Sequence, residues 1–184
     1  MRPARPLRGD APYGVRDAVA GDFDRIADIK VSNWADTYGP LVPREVLGRF
    51  LDKDRSAAEI HELARSPDTL LLVGPSTGEV QGFALTYMAR TPDPWLESLH
   101  VMHEGRGRGL GTLLIRETAK RLLAAGYRSL SLGVILGNDR ASTFYEHLGG
   151  IAVRVEPVDF AEGVEHIVWR WPDLTRLSLD HRLS

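Results

Sequence analysis

The segment Glu104-Gly105-Arg106-Gly107-Arg108-Gly109-Leu110-Gly111-Thr112 constrains this chain most, because it joins a strand-like run, Trp95 to Met102, to a helix-like run, Leu110 to Ala125. A strand, a glycine-rich loop and a helix in that order build an anion site. Glycines let the backbone approach a phosphate, the first N–H groups of a helix lack intrahelical partners, and the helix dipole adds positive potential. Arg106 and Arg108 add charge and forked donors. The expected ligand is a phosphate or pyrophosphate.

Counting separates the known phosphate loops. Stepping from Gly105, Gly107 or Gly109 puts Leu110, Thr112 or Leu114 where a G-x-G-x-x-G dinucleotide fingerprint needs its third glycine. No Gly-Lys-Ser/Thr triplet of the Walker A kind occurs in the chain. What remains is Arg106-x-x-Gly109-x-Gly111, which resembles the R/Q-x-x-G-x-G/A pyrophosphate loop of the GNAT superfamily of acyl-CoA N-acyltransferases. A second segment carries the resemblance independently. Asn138-Asp139-Arg140-Ala141-Ser142-Thr143-Phe144-Tyr145-Glu146-His147-Leu148-Gly149-Gly150 resembles the family's N-x-x-A-x-x-F-Y-x-x-x-G-F, with Gly150 replacing the usual phenylalanine.

A chain of 184 residues, 43% hydrophobic and 26% charged, suits one well-packed α/β domain and is short for two. We expect that domain over 13–172, a disordered tail over 1–12 and a C-terminal tail over 173–184. The formal net charge of −2 provides no global field for nucleic acid or an anionic membrane, so neither is expected as a partner. Zero cysteines remove disulfides, thiolate metal sites and a cysteine nucleophile together, and no metal is expected. No apolar run approaches a membrane span, and Met1 to Pro12 has no apolar signal-peptide core. The expected location is cytoplasmic.

Periodicity supplies the elements. Tyr13 to Arg16 reads as a short strand, and Asp22 to Asp36 as a helix carrying Phe23, Ile26, Ile29, Val31 and Trp34. Pro43 precedes a helical stretch from Arg44 to Arg65, with a candidate interruption at Asp52 to Arg55. Thr69 to Val73 and Val80 to Met88 flank a Gly-Pro-Ser-Thr-Gly turn and read as an antiparallel pair. The helix after the glycine loop presents Leu110, Leu113, Leu114, Leu122 and Leu123 as its apolar stripe. Leu130 to Val134 reads as a buried strand, Asn138 as the N-cap of a helix ending at Gly149-Gly150, and Ile151 to Val155 and Val164 to Trp171 as late strands.

This order, β-α-α-β-β-β-α-β-α-β-β, is that of the GNAT fold. The resemblance covers about Tyr13 to Trp171. It implies an α/β (α+β) architecture: a mixed central sheet of about seven strands with about four helices, splayed between the fourth and fifth strands. It further implies acetyl-CoA as cosubstrate, with the pantetheine arm on the backbone edge of Leu99, Val101 and Met102. The pyrophosphate would lie on Arg106, Gly107, Arg108, Gly109, Leu110, Gly111 and Thr112. Asn138, Ser142 and Phe144 are the remaining cofactor-binding candidates. Tyr145 matches the family's general-acid tyrosine, and a phenol is a reasonable donor to a leaving thiolate. On spacing alone a tyrosine packed on a core-facing helix is the better account, and it is the motif that favours the acid.

Period 2 places Glu97 on the face of Trp95, Leu99 and Val101, where an apolar setting would raise its pKa and suit it as base. A solvated glutamate at the strand start after Pro94 is the alternative. Some family members carry this carboxylate two residues earlier, where the present chain has Trp95. His100 and His103 are further proton-relay candidates. For the acceptor amine, the resemblance points to Trp34, Asp36 and Tyr38 and to the loop Glu156 to Glu162. The implied activity is N-acetyl transfer to a primary amine of a small molecule or peptide by direct attack in a ternary complex. The alternative is an acyl-CoA-binding sensor or interaction module without turnover. Many relatives are homodimers, and the Ile167, Trp169 and Trp171 face is a candidate for core or interface, with core favoured.

Overall fold

The computed structural model describes residues 14–75 and 77–179. Apolar runs of strand length in mid-chain need cover on both faces, and a sheet between two helical layers provides it. Among the described residues seven strands form one sheet in the order β1-β2-β3-β4-β5-β7-β6. They are β1 (Arg16–Asp17), β2 (Thr69–Gly74), β3 (Gly82–Tyr87), β4 (Trp95–Val101), β5 (Leu130–Ile135), β6 (Ile151–Pro157) and β7 (Glu165–Trp171). The helices are α1 (Phe23–Asn33), α2 (Arg44–Leu47), α3 (Lys53–Leu63), α4 (Leu110–Ala124), α5 (Asp139–His147) and α6 (Thr175–Ser178).

β2 illustrates why the sheet is central. Its Leu70 and Leu72 enter a core cluster with Leu110, Leu114, Ile115 and Leu122 of α4, whereas Leu71 and Val73 enter another with Ile26 and Ile29 of α1 and Ile60 of α3. The buried face of α4 is completed by Thr118 and Ala119, leaving Leu113 and Leu123 at its margins. The helical stretch expected from Arg44 to Arg65 is two helices. Asp52 accepts from the Arg55 amide at 3.0 Å and so starts α3 as its N-cap. Asn138 likewise caps α5 through the Ala141 amide at 3.2 Å.

The first strand is Arg16–Asp17; Tyr13 and the tail expected over 1–12 lie outside the described residues. The segment expected as a C-terminal tail from 173 instead carries α6, and Leu174 and Leu177 are buried in the α4-side core. Two apolar residues three apart on one helical turn account for that docking. Residues 180–184 of that tail lie outside the described residues. Trp169 and Trp171 are 6% and 3% exposed and belong to the same core. No helix among the described residues is long and apolar enough to cross a membrane.

The sheet's one parallel pair is β4 with β5, and it touches at a single register position, Trp95 opposite Ser131. The Ser131 amide donates to the Pro94 carbonyl at 3.0 Å, after which the strands part. A buried carboxylate pins this closed end. Asp93 accepts from Ser129 Oγ, from Ser131 Oγ at 2.8 Å, and from Arg170 Nε and Nη2 at 2.8 and 3.1 Å. The expected splay between the fourth and fifth strands is therefore present, with its apex locked to β7.

Candidate active site

The divergence of β4 and β5 opens a cavity of about 480 Å³. One wall is the backbone and side chains of Leu96 to Val101, the opposite wall is Leu132 to Val134, and the glycine loop and α5 close the ends. In that loop Gly107 and Gly109 have φ of 72° and 83°, a left-handed conformation that costs other residues roughly 1–2 kcal/mol. The turns they permit leave the amides of residues 107–112 without a backbone acceptor among the described residues. These donors sit at the N-terminus of the 15-residue α4, so dipole and free N–H groups converge on the cavity.

Arg106 behaves differently from expectation. Its own amide donates to the His103 carbonyl at 3.2 Å, so the anion cradle starts one residue later. Its side chain turns inward, with Nε donating to the Val101 carbonyl at 3.0 Å and Nη2 to Asn33 Oδ1 at 2.7 Å. Asn33, at the end of α1, is buried and donates in turn to the Ile29 carbonyl at 3.0 Å. Burial, and after it the nearby Arg140 charge, lowers the Arg106 pKa from its usual value. Both arginines line the cavity. Arg108 is exposed and does not line it.

Tyr145 also lines the cavity, 8% exposed, its ring edge-on to Phe144 and Trp171. Burial, then the neighbouring Tyr38, pushes its phenol well above the usual tyrosine value, so it is protonated at neutral pH. Tyr38 reaches the same cavity from Trp34–Tyr38, a five-residue π-helical extension of α1. Its phenol is raised by burial, lowered by a hydrogen bond with the Asn138 side chain, and raised by the Glu97 carboxylate. Glu97 and Tyr145 each interact electrostatically with Tyr38.

The face of Glu97 departs from the period-2 expectation. Leu85 pairs with Ser98 but Thr86 pairs with Leu96, so Glu97 is an extra residue in β4 with no partner in β3. Such a bulge breaks the alternation. Leu99 and Val101 pack on the α4 side, whereas Glu97 turns toward the α1–α3 side, where it also lines a second cavity with Lys30, Ser56 and Glu59. Its carboxylate accepts from the Trp95 indole N–H at 3.0 Å. Glu97 is an exposed residue, as the solvated alternative expected, yet desolvation of its carboxylate in the cavity raises its pKa, partly opposed by that hydrogen bond and by Arg90 and Lys30. Arg90 lies 4.1 Å from the Trp95 ring centroid, within cation–π reach of the indole.

Of the other sequence candidates, Leu99, Val101, Gly107, Gly109, Leu110, Gly111, Thr112, Asn138 and Phe144 line the cavity. Met102 and Ser142 do not; the Met102 amide is taken by the Gln81 carbonyl and its side chain packs on the α1 side. Trp34 and Asp36 do not line it either. Trp34 is drawn into an aromatic stack on Phe50 at 3.8 Å, and Asp36 is exposed. His100 lines the cavity but is buried against Phe83, and burial brings its pKa down to about 3, so it is neutral. Asn33, Thr37 and Gly133 are lining residues that sequence reasoning did not single out. Asn33 was detectable only as a polar residue on the apolar stripe of helix one. Among the described residues no group of three His, Asp or Glu is arranged to hold a metal.

Relatives with this architecture carry known names. An uncharacterized N-acetyltransferase of Mycobacterium tuberculosis is 25% identical over 128 residues, covering 70% of this chain and 82% of that protein. The PaiA N-acetyltransferase of Thermoplasma acidophilum, solved in complex with coenzyme A, matches with a TM-score of 0.69 at 19% identity, over 86% of this chain and 97% of its own. YncA of Salmonella typhimurium, solved with acetyl-CoA, matches with a TM-score of 0.68 at 21% identity, over 88% of this chain and 94% of its own. The model of the acetyltransferase (GNAT) family matches residues 30–150, a span that runs from α1 through the splay and the glycine loop to the end of the Asn138–Gly150 segment. With sheet order, splay and both segments in agreement, this chain belongs to the acetyltransferase (GNAT) family.

Proposed function

We propose that the protein transfers the acetyl group of acetyl-CoA to a primary amine by direct attack within a ternary complex. One observation carries this reading. The free amides of the glycine loop, the open edge of β4 and the phenol of Tyr145 all line a single cavity at the β4–β5 splay. The loop suits a pyrophosphate by charge and by geometry, and the β4 edge as far as Val101 suits the amides of a pantetheine arm. The coenzyme A and acetyl-CoA seen in the two solved relatives agree with that donor set.

In the reaction an amine N–C bond forms and the thioester C–S bond breaks. Glu97, its pKa raised by burial, accepts the proton lost by the amine, directly or through water. Tyr145 holds its proton at neutral pH and gives it, or a hydrogen bond, to the departing sulfur. Tyr38 lines the same cavity as both and orients what lies there. No covalent enzyme intermediate is required, and the chain has no cysteine to form one.

Thiol release from acetyl-CoA, assayed against a panel of amines with acetyl-CoA affinity measured by calorimetry on the same sample, tests this. Release that depends on the amine supports the reading. Tight binding without release across amines and peptides points instead to a non-catalytic acyl-CoA-binding module, and absence of binding removes the assignment of the glycine loop.

A further inference from the structure

The second cavity, about 240 Å³, opens on the α1–α3 side and shares Glu97 with the first. Glu97 is its inner end, since that residue alone belongs to both walls. Its charges are sorted. Lys30 is tied to Glu59 at 2.6 Å and the two cancel. What remains is the Glu97 carboxylate at the inner end and two guanidinium groups, Arg49 and Arg55, on exposed residues.

The aromatic wall of this cavity is closely stacked. Phe50 stacks on Trp34 at 3.8 Å with ring planes 4° apart, and Phe160 meets Phe50 edge-on at 5.3 Å. The Arg49 guanidinium lies 4.9 Å from the Phe50 ring centroid and 5.9 Å from that of Phe160, and donates to the Phe160 carbonyl. Stacking of this kind fixes the plane of the fork and leaves further N–H donors unused. The Arg55 guanidinium makes no hydrogen bond or ion pair among the described residues.

We propose that this second cavity is the acceptor pocket and that the acceptor is an amine that also carries a carboxylate. The amine sits at Glu97, beside the reaction cavity, and the carboxylate is held by Arg55 and Arg49. A polyamine or a polycationic amino sugar would instead place positive charge against two uncompensated guanidinium groups. The carboxylate can belong to a free amino acid or to an acidic residue at the start of a peptide. This inference rests on the acetyl-transfer reading above and names its substrate class.

The test is thiol release from acetyl-CoA with amino acids, each beside its carboxamide and its decarboxylated amine, and with peptides beginning in Asp or Glu. Acetyl-CoA affinity is measured in parallel by calorimetry, and each acceptor is also titrated into the CoA-saturated protein. Carboxylate forms are expected to exceed their carboxamide and amine partners in kcat/KM by about 10- to 100-fold, the range of a charged hydrogen bond. Whether free amino acids or acidic peptides give that preference identifies the source of the carboxylate. In Arg55→Glu the preference is expected to invert, with acetyl-CoA affinity unchanged. Equal or better use of the uncharged and amine partners overturns the proposal, as does a preference indifferent to Arg55→Glu. Acetyl-CoA binding with neither release nor binding of any carboxylate overturns it while leaving the cosubstrate site standing; loss of acetyl-CoA binding itself overturns both.

Discussion

The indole N–H of Trp95 donates to the carboxylate of Glu97 at 3.0 Å, although the two residues stand in one strand with a single residue between them. Residues two apart in a strand share a face, and the bulge at Glu97 keeps this pair together while moving Leu99 and Val101 to the other side. It favours the ionised carboxylate and so opposes the burial that raises the Glu97 pKa. Trp95→Phe removes the donor, and the acid limb of the kcat/KM profile is expected to move to higher pH. A limb that stays in place would separate Trp95 from the titration.

Glu97→Gln is expected to lower kcat/KM about 10² to 10⁴-fold and to flatten that acid limb, with acetyl-CoA affinity unchanged. The sign follows from the raised pKa. The base form is lost as pH falls through a value above the ordinary 4.5, so activity declines earlier on acidification than for a glutamate of ordinary pKa. A pH–rate profile of the variant that keeps the wild-type acid limb would assign the limb to another group.

Tyr145→Phe is expected to reduce kcat about 10² to 10⁴-fold at constant acetyl-CoA affinity. The phenol's pKa is pushed up by burial first and by Tyr38 second, so no loss of the acid form is expected between pH 6 and about 9. Single-turnover kinetics with the phenylalanine variant check this, and an unchanged rate would leave Tyr145 a packing residue beside Trp171.

Gly109→Ala places a Cβ on a residue with φ of 83° where nothing crowds it, so the whole effect is backbone strain. Strain of roughly 1–2 kcal/mol, relieved by turning the loop amides away, is expected to weaken acetyl-CoA binding about tenfold while the amine dependence of kcat persists. Calorimetric titration of acetyl-CoA into the variant decides it.

Asp93 is held down to about 2 from 3.8, first by the Arg170 hydrogen bonds, against a burial effect of opposite sign, and then by Ser129 and Ser131. Its folded pKa is depressed, so the associated stability is complete above the unfolded value and is lost as pH falls from about 4 to 2. It amounts to about 2 kcal/mol. Urea unfolding across that window is expected to show the loss in the wild type. In Asp93→Asn the dependence is expected to be reduced, and the variant to be about 2 kcal/mol less stable at pH 7.

Local rules made much of this legible from the sequence. The helix after the glycine loop, the Asn138 cap and the antiparallel pairing of β2 with β3 each depend on residues within a few positions, and each folds as expected. Glu97 was expected on one face with Trp95, Leu99 and Val101, yet it meets Trp95 and parts from the other two, because a bulge is set by the register of the partner strand. Arg106 was read as a phosphate ligand, yet its guanidinium turns to Asn33, 73 positions away, a pairing no local pattern encodes. Trp34 was read as touching substrate, but its stacking partner Phe50 lies across a loop, and together they build the wall behind the pocket. Arg49 and Arg55 escaped notice because they line one cavity only together with Phe160, which is distant in sequence.

The glycine at 150, where the family resemblance calls for phenylalanine, has a counterpart in space. A Cβ there would come within 2.7 Å of the Trp171 ring and 2.9 Å of the Tyr145 carbonyl, and the Trp171 indole is anchored by donation to the Leu148 carbonyl at 3.0 Å. Positions 150 and 171 therefore divide one fixed volume between them. A larger residue at 150 is tolerable only after the tryptophan has been exchanged for something smaller, so the order in which the two substitutions arise matters, and the intermediate with both side chains large is the one that fails to pack.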